Sequence, residues 1–339
     1  MVHGGNHVFG YDDHGTAVWS VIGARMPQVY TGAAPDALFM LAITEDVQTE
    51  YRIEEYNWVV AAERADSAGV EVINTSLGYN TFDDPAMNYQ PSAMNGETAV
   101  ISQAAAMAAE KGMVVVVSAG NEGASPWQII TAPADAKPVL AVGNVNSSGI
   151  KSATSSIGPT ADGRIKPDVA ALGTAVAVYR ANGTLGTLSG TSLAAPLTTA
   201  LAAGLLQLFP NLKAQEITLA VRMGASQSGN PDNNIGYGLI SYLGAKEFLE
   251  NRLAQPRLQV FPNPVTTGTL TVRSTNPQAL VSARYELFQA TGPCLDAGML
   301  TFTPAQPAVT LLFGQLPAGV YLLRLIWPGG STVIKVIKP

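Results

Sequence analysis

The sequence predicts an α/β domain with a mostly parallel sheet, followed by a small all-β domain. Three observations predict it. Strand-like and helix-like patterns alternate over roughly the first 250 residues, the signature of strands joined by helical crossovers. The run Leu197–Leu208 is apolar on every side, so its helix is a buried one. Beyond Gln255-Pro256 helix signals vanish and strict period-two alternation takes over, as in Thr269–Arg273 and Ala283–Leu287. The two domains expected are 1–255 and 258–339.

Taken in order, residues 1–13 are polar and Gly-rich and read as a loop. His14 opens a helix whose apolar positions Val18, Val21 and Ile22 fall at helical spacing. Ala37–Ile43 is an apolar run of strand length. Thr49–Ser67 reads as a helix with Trp58, Ala62 and Ala65 on one face and Gly69 as its C-cap. Val70–Asn74 is the next strand and runs into Ser76-Leu77-Gly78; residues 79–98 form a polar loop. Ala99–Lys111 is an Ala-rich helix closed by Gly112. Met113–Val117 is a buried strand leading to Ser118-Ala119-Gly120-Asn121-Glu122-Gly123, and Val139–Gly143 is another strand. Ser189-Gly190-Thr191-Ser192-Leu193-Ala194-Ala195-Pro196 introduces the apolar helix and sets Ser192 at its start, where unpaired N–H groups and a positive dipole end favour an oxyanion. A helix from Leu243 to Leu253 closes the domain. After it, Gly and Pro punctuate about seven short strands, the spacing of an Ig-like sandwich.

Composition narrows the function. The chain has 339 residues, 47% hydrophobic and 13% charged, with a net charge of −6, which argues against a nucleic-acid partner. The single cysteine, Cys294, lies in a predicted turn and makes no internal disulfide. The opening residues show no basic n-region and no apolar h-region, so no export signal is read there. Leu197–Leu208 is too short for a membrane span, which needs about 20 apolar residues, and no transmembrane segment is expected. Asp83-Asp84 and Asp232-Asn233-Asn234 offer oxygen ligands of the kind Ca²⁺ takes, without a full ligand spacing; turn chemistry accounts for both. No metal site and no cofactor are expected.

His14-Gly15-Thr16, Ser118-Ala119-Gly120-Asn121-Glu122-Gly123 and Gly190-Thr191-Ser192-Leu193-Ala194-Ala195-Pro196, in that order, resemble the subtilisin-like serine peptidases, the subtilases. The resemblance covers roughly residues 1–250 and implies a three-layer domain and a secreted endopeptidase that works through an acyl-enzyme. It implies His14 as base, Ser192 as nucleophile and Asn121 as oxyanion donor. Ser76, Leu77 and Gly78, with Ser118, Ala119 and Gly120, are implied as the two segments that flank a protein or peptide substrate. His3 and His7 carry no motif. The family's third triad member, an Asp on an apolar strand well before the His, has no counterpart here. Asp12 and Asp13 adjoin His14 too closely to orient its ring from behind and read as loop residues. The expectation is therefore a chain truncated at its N-terminus, with the Asp strand upstream of Met1, and inactive by itself. The alternative is a non-catalytic surface protein on the same scaffold.

Val260-Phe261-Pro262-Asn263-Pro264, Leu316-Pro317-Ala318-Gly319-Val320-Tyr321 and the terminal Lys335-Val336-Ile337-Lys338 resemble the C-terminal sorting domain of the type IX secretion system of Bacteroidetes-type bacteria. That resemblance implies the type IX machinery as partner of residues 258–339 and a secreted or surface-attached protein.

Overall fold

The computed structural model describes residues 12–254, 257–290, 292–328 and 330–339. His3, His7 and the expected boundary Gln255-Pro256 lie outside the described residues. The chain divides into two compact units, Met1–Phe248 and Leu249–Pro339.

The first unit begins with α1 (His14–Gly23) and a two-residue-per-strand hairpin, β1 (Arg25–Met26) and β2 (Tyr30–Thr31). There follow α2 (Ile53–Ala68), β3 (Val72–Thr75), α3 (Val100–Glu110), β4 (Val114–Ser118), β5 (Leu140–Val145) and β6 (Val169–Leu172). A second hairpin, β7 (Val176–Tyr179) and β8 (Leu185–Leu188), leads to α4 (Thr191–Leu208), α5 (Ala214–Met223) and α6 (Tyr242–Ala254), the last straddling the division between the units. Strands β3-β4-β5-β6 form a parallel sheet in that order. All five residues of β4 are buried, as expected of a strand paired on both edges and covered on both faces. Val115 and Val117 join one apolar cluster with Trp58, Ala62 and Ala65 of α2 and Ile101 and Ala105 of α3. Successive strand residues face opposite ways, so Val114 and Val116 meet the other layer, where α4 and α5 pack on the sheet.

Local chemistry sets the element ends. Gly69 adopts φ 78° and caps α2. The helix begins at Ile53, four residues later than Thr49, because Glu54 reaches back to accept the Asp46 and Tyr51 N–H groups and holds that stretch as a loop. Helix α4 is long and apolar enough to cross a membrane, but more than half of it is buried. It packs on β3, β4, β5 and β6 and against α1 and α5, as the core helix of this unit.

One expected element does not form. Ala37–Ile43 is not a strand; Leu38, Phe39, Met40 and Leu41 are exposed, Leu38 at 101%. An apolar run becomes a strand only where a neighbour accepts its main-chain hydrogen bonds. Among the described residues none pairs with it, and β3, itself only half-buried, pairs with β4 alone.

Among its described residues the second unit holds seven strands: β9 (Leu258–Phe261), β10 (Thr269–Ser274), β11 (Ser282–Gln289), β12 (Cys294–Thr301), β13 (Ala308–Leu312), β14 (Gly319–Trp327) and β15 (Gly330–Lys338). They make two antiparallel sheets, β13-β10-β9 and β12-β11-β14-β15. Alternation in β10 buries Leu270 and Val272, which share one core with Leu323 and Leu325 of the other sheet. Asn263 bonds the last strand twice, accepting from Ile337 N and donating to Lys335 O. Tyr321 donates its hydroxyl to Pro317 O, and Lys338 Nζ donates to the Phe313 and Gly314 carbonyls. Cys294 is an exposed free thiol.

Candidate active site

The site is built at the carboxyl end of the parallel sheet, where open α/β sheets place their ligands. The β3–β4 ladder runs through Thr75 opposite Val117. The next residues, Ser76-Leu77-Gly78 and Ser118-Ala119-Gly120, therefore leave the sheet side by side, and Ser118 Oγ donates to Leu77 O at 3.3 Å. Gly120, at φ 106°, turns the chain into Asn121.

Helix α4 brings its N-terminus to this place. Thr191 donates both its N–H and its hydroxyl to Asn121 Oδ1, at 2.9 and 3.1 Å. With that oxygen doubly engaged, Nδ2 is the end of the amide left to donate. Gly190 accommodates the approach at φ 156°: a Cβ there would stand 3.6 Å from Asn121 Nδ2 and 3.7 Å from Ser192 N. The two donors thus border one small space at the positive end of α4, beside Ser192, which suits a developing oxyanion.

Ser192 is 8% exposed. Its carbonyl is held by a device visible in the sequence but missed there. Pro196 lies inside α4, four residues on, and has no N–H to give the Ser192 carbonyl. Ser76 Oγ donates to it instead, at 2.9 Å. Asn74 Nδ2 donates to Ser76 Oγ at 3.0 Å, and Thr199 of α4 closes the chain by donating to Asn74 Oδ1 at 2.8 Å. A polar network therefore ties the backbone of Ser192 to the end of β3. Ser192 Oγ itself lies 3.4 Å from Ser76 O.

His14 is the first residue of α1, and α1 packs against the start of α4 through Ala17, Val18 and Val21 around Leu193. The imidazole is exposed. Desolvation by the surrounding protein still pushes its pKa below the ordinary histidine value, against the opposing pull of the Asp12 and Asp13 carboxylates. Neither carboxylate orients the ring. Asp12 Oδ1 accepts the His14 backbone N–H at 2.6 Å, and Asp13 pairs with Arg180 at 3.1 Å. Among the described residues no hydrogen bond joins the His14 ring to Ser192 or to a carboxylate.

Asp84 accepts the Ala86 N–H and Asp232 those of Asn234 and Ile235, which are local turn bonds, whereas Asp83 accepts the Glu50 N–H from a distant loop. A feature not read from the sequence is a trio of carboxylates, Glu45, Glu50 and Glu54, whose oxygens lie within 4.8 Å of one another. Tyr79 donates its hydroxyl to Glu45 at 2.7 Å. Desolvation, with help from Glu54, Glu45 and Asp83, pushes Glu50 up to about 7. The three come from a loop and a helix start separated by irregular chain, with no motif to betray them.

The serine at the head of a buried core helix, the asparagine beside it and the parallel sheet beneath them define a class that the comparisons also return. The subtilase family profile matches residues 4–238, and the chain belongs to that family. Among curated relatives, Subtilisin NAT of Bacillus subtilis subsp. natto is 30% identical over 238 residues, covering 69% of this chain and 56% of that protein. Mycosin-1 of Mycobacterium tuberculosis is 31% identical over 276 residues, covering 71% and 62%. The Subtilisin-like protease SBT6.1 of Arabidopsis thaliana is 24% identical, covering 74% of this chain and 23% of its own length. The chain thus spans about half the length, or less, of the first of these relatives. Among solved structures, the self-cleaved protease domain of PatA superposes with a TM-score of 0.58 at 25% identity, covering 70% of this chain and 83% of that one. MycP3 protease from the type VII (ESX-3) secretion system gives 0.57 at 26%, covering 69% and 72%.

Proposed function

We propose that this chain carries most of the active site of a secreted serine endopeptidase. The observation that carries the reading is the convergence of Asn121, Thr191, Ser192 and Ser76 at the N-terminus of α4. In this reading His14 takes the proton of Ser192 Oγ as that oxygen adds to a peptide carbonyl. The resulting oxyanion accepts from Asn121 Nδ2 and the Ser192 N–H. The C–N bond then breaks, His14 gives its proton to the departing amine, and water releases the acyl group from Ser192. Ser76–Gly78 and Ser118–Gly120 hold an extended peptide by main-chain hydrogen bonds.

The third triad member belongs, in this proposal, to a strand encoded upstream of Met1. Three observations among the described residues support it: β3 pairs on one edge only, the exposed apolar run Leu38–Leu41 pairs with no strand, and the His14 ring bonds no carboxylate. The last of these equally favours a second reading, a non-catalytic surface protein on a subtilase scaffold. Sequencing the native transcript upstream of the Met1 codon separates them. An in-frame segment with an export signal and an apolar-Asp-Ser/Thr-Gly strand supports the peptidase; a stop codon immediately upstream supports the second reading. In the full-length protein Ser192→Ala should abolish peptide hydrolysis and leave the fold; persistent hydrolysis sinks the assignment.

Residues 258–339 form, in the same proposal, an Ig-like sorting domain recognised by type IX secretion machinery, which brings the protein to the cell surface or beyond. Support comes from the motifs themselves, whose Asn263, Pro317, Tyr321 and Lys338 tie strand ends together. Deleting 258–339 should leave the protein in the periplasm of a Bacteroidetes-type host; normal export refutes this part.

A further inference from the structure

Both halves of the site are anchored to one hairpin, β7–β8. Its second strand runs straight into the turn that carries Ser192, and both ends of the hairpin are tied to that turn: Ser189 Oγ accepts the Ala175 N–H at 2.9 Å, and Gly190 N donates to Gly173 O at 2.8 Å. Helix α1 docks on the same hairpin. Tyr179 N donates to Ser20 Oγ at 2.9 Å, and Val176 and Val178 share a buried cluster with Ala17, Val18, Val21 and Leu193. These contacts fix the middle of α1. Among the described residues one ion pair from the hairpin reaches the end that bears His14, Arg180 Nη1 to Asp13 Oδ2 at 3.1 Å.

The arm that makes this contact is itself held. Arg180 N donates to Thr184 O at 2.9 Å, and Gly183 N donates to Arg180 O at 3.0 Å, which closes the hairpin turn. The side chain lies along Gly186, where a Cβ would stand 3.1 Å from Arg180 Nε. Arg180 and Asp13 keep 30% and 39% of their side-chain surface exposed. A pair so exposed adds little to stability; what it supplies is a fixed distance between the hairpin and the residue before His14.

We propose that Arg180 is a positioning residue for the base: by holding Asp13 it sets where His14 stands relative to Ser192, through the hairpin that leads into the nucleophile turn. This rests on the peptidase reading. A general base works only within hydrogen-bond reach of the proton it takes, and small misplacements cost large factors in rate. The pair also occupies the Asp13 carboxylate, which with Asp12 favours the charged form of His14. Of the elements packed on α1, α4 carries no charged residue, β7–β8 brings Arg180, and β2 brings Tyr30, whose hydroxyl donates to Ala177 O.

The test uses the full-length protein, a peptide amidomethylcoumarin substrate, and endpoint labelling by a fluorophosphonate to count working sites. Arg180→Ala should lower kcat per site by about tenfold or more with KM little changed. It should also move the acid limb of the kcat/KM profile to higher pH, because the freed Asp13 carboxylate stabilises the imidazolium. Asp13→Asn should lower kcat likewise but move that limb to lower pH. The double variant should be no slower than the worse single one, and Arg180→Lys should recover part of the loss. An unchanged kcat and limb in Arg180→Ala overturn the role of Arg180 and leave the peptidase standing. So does a fall in kcat with the limb unmoved and the two substitutions additive, which marks a general loosening. If Arg180→Ala does not fold, Asp13→Asn decides by the same two readouts. Wild-type protein that neither labels nor cleaves overturns the peptidase reading, and this proposal with it.

Discussion

Ser192 and His14 both stand at the start of a helix, and the two helix starts are held very differently. At the head of α4, Asn121 grips Thr191, Ser76 takes the Ser192 carbonyl, and Asn74 and Thr199 lock Ser76 in turn. At the head of α1, Asp12 caps the backbone of His14, while the ring meets solvent and has no hydrogen-bond partner among the described residues. The sheet repeats the contrast. Val114–Ser118 is paired on both edges and wholly buried; Leu38–Leu41, as apolar, is exposed and pairs with no strand among the described residues. In the proposed reading, the nucleophile and its oxyanion donors thus form a finished half of the site. In the same reading the base half has no orienting carboxylate among the described residues, since Asp12 bonds the His14 backbone and Asp13 pairs with Arg180.

The largest effect is expected from removing a donor in the finished half. Asn121→Ala in the full-length protein should lower kcat by about 10²–10³ with little change in KM, since the amide acts on charge that develops only in the transition state; steady-state kinetics checks it. A smaller effect probes the Pro196 device. Ser76→Ala leaves the Ser192 carbonyl without its donor and should cost about 1–2 kcal/mol of stability, read by denaturant unfolding. Pro196→Ala restores a helical N–H for that carbonyl, so the same Ser76→Ala change should cost measurably less in that background; equal costs would dissolve the link between the two residues. The smallest effect belongs to the looser half. Glu50, raised to about 7 from 4.5, binds its proton more tightly folded than unfolded. Its contribution to stability is therefore present below pH 4.5 and is lost as pH rises toward 7. Glu50→Gln should flatten that loss in thermal melts taken from pH 4.5 to 8.

Much of this was legible before the structure. The Val114–Val117 run reads as a doubly covered strand because four consecutive β-branched residues favour extended chain and leave no polar face for solvent. Gly69 and Gly112 mark helix ends because only glycine adopts their positive φ without strain. The motif residues of the nucleophile half also stood out, and Pro196 carried an unread hint, since a proline four residues after a serine frees that serine's carbonyl. The rest depended on partners far away in sequence. Leu38–Leu41 has the composition of a strand, but pairing decides a strand and no pattern within the run reveals its absence. Arg180 looks like any charged residue of a hairpin turn until Asp13 is seen beside it. Glu45, Glu50 and Glu54 lie in a loop and a helix start whose closeness only the fold creates.

The most direct test of the central claim is to treat the full-length protein with a fluorophosphonate and locate the adduct by mass spectrometry. A serine in ordinary surroundings does not react; one activated by a neighbouring base beside an oxyanion site does. The expected result is stoichiometric labelling on Ser192 that is lost in His14→Ala. No labelling of Ser192 in the folded, full-length protein would contradict it.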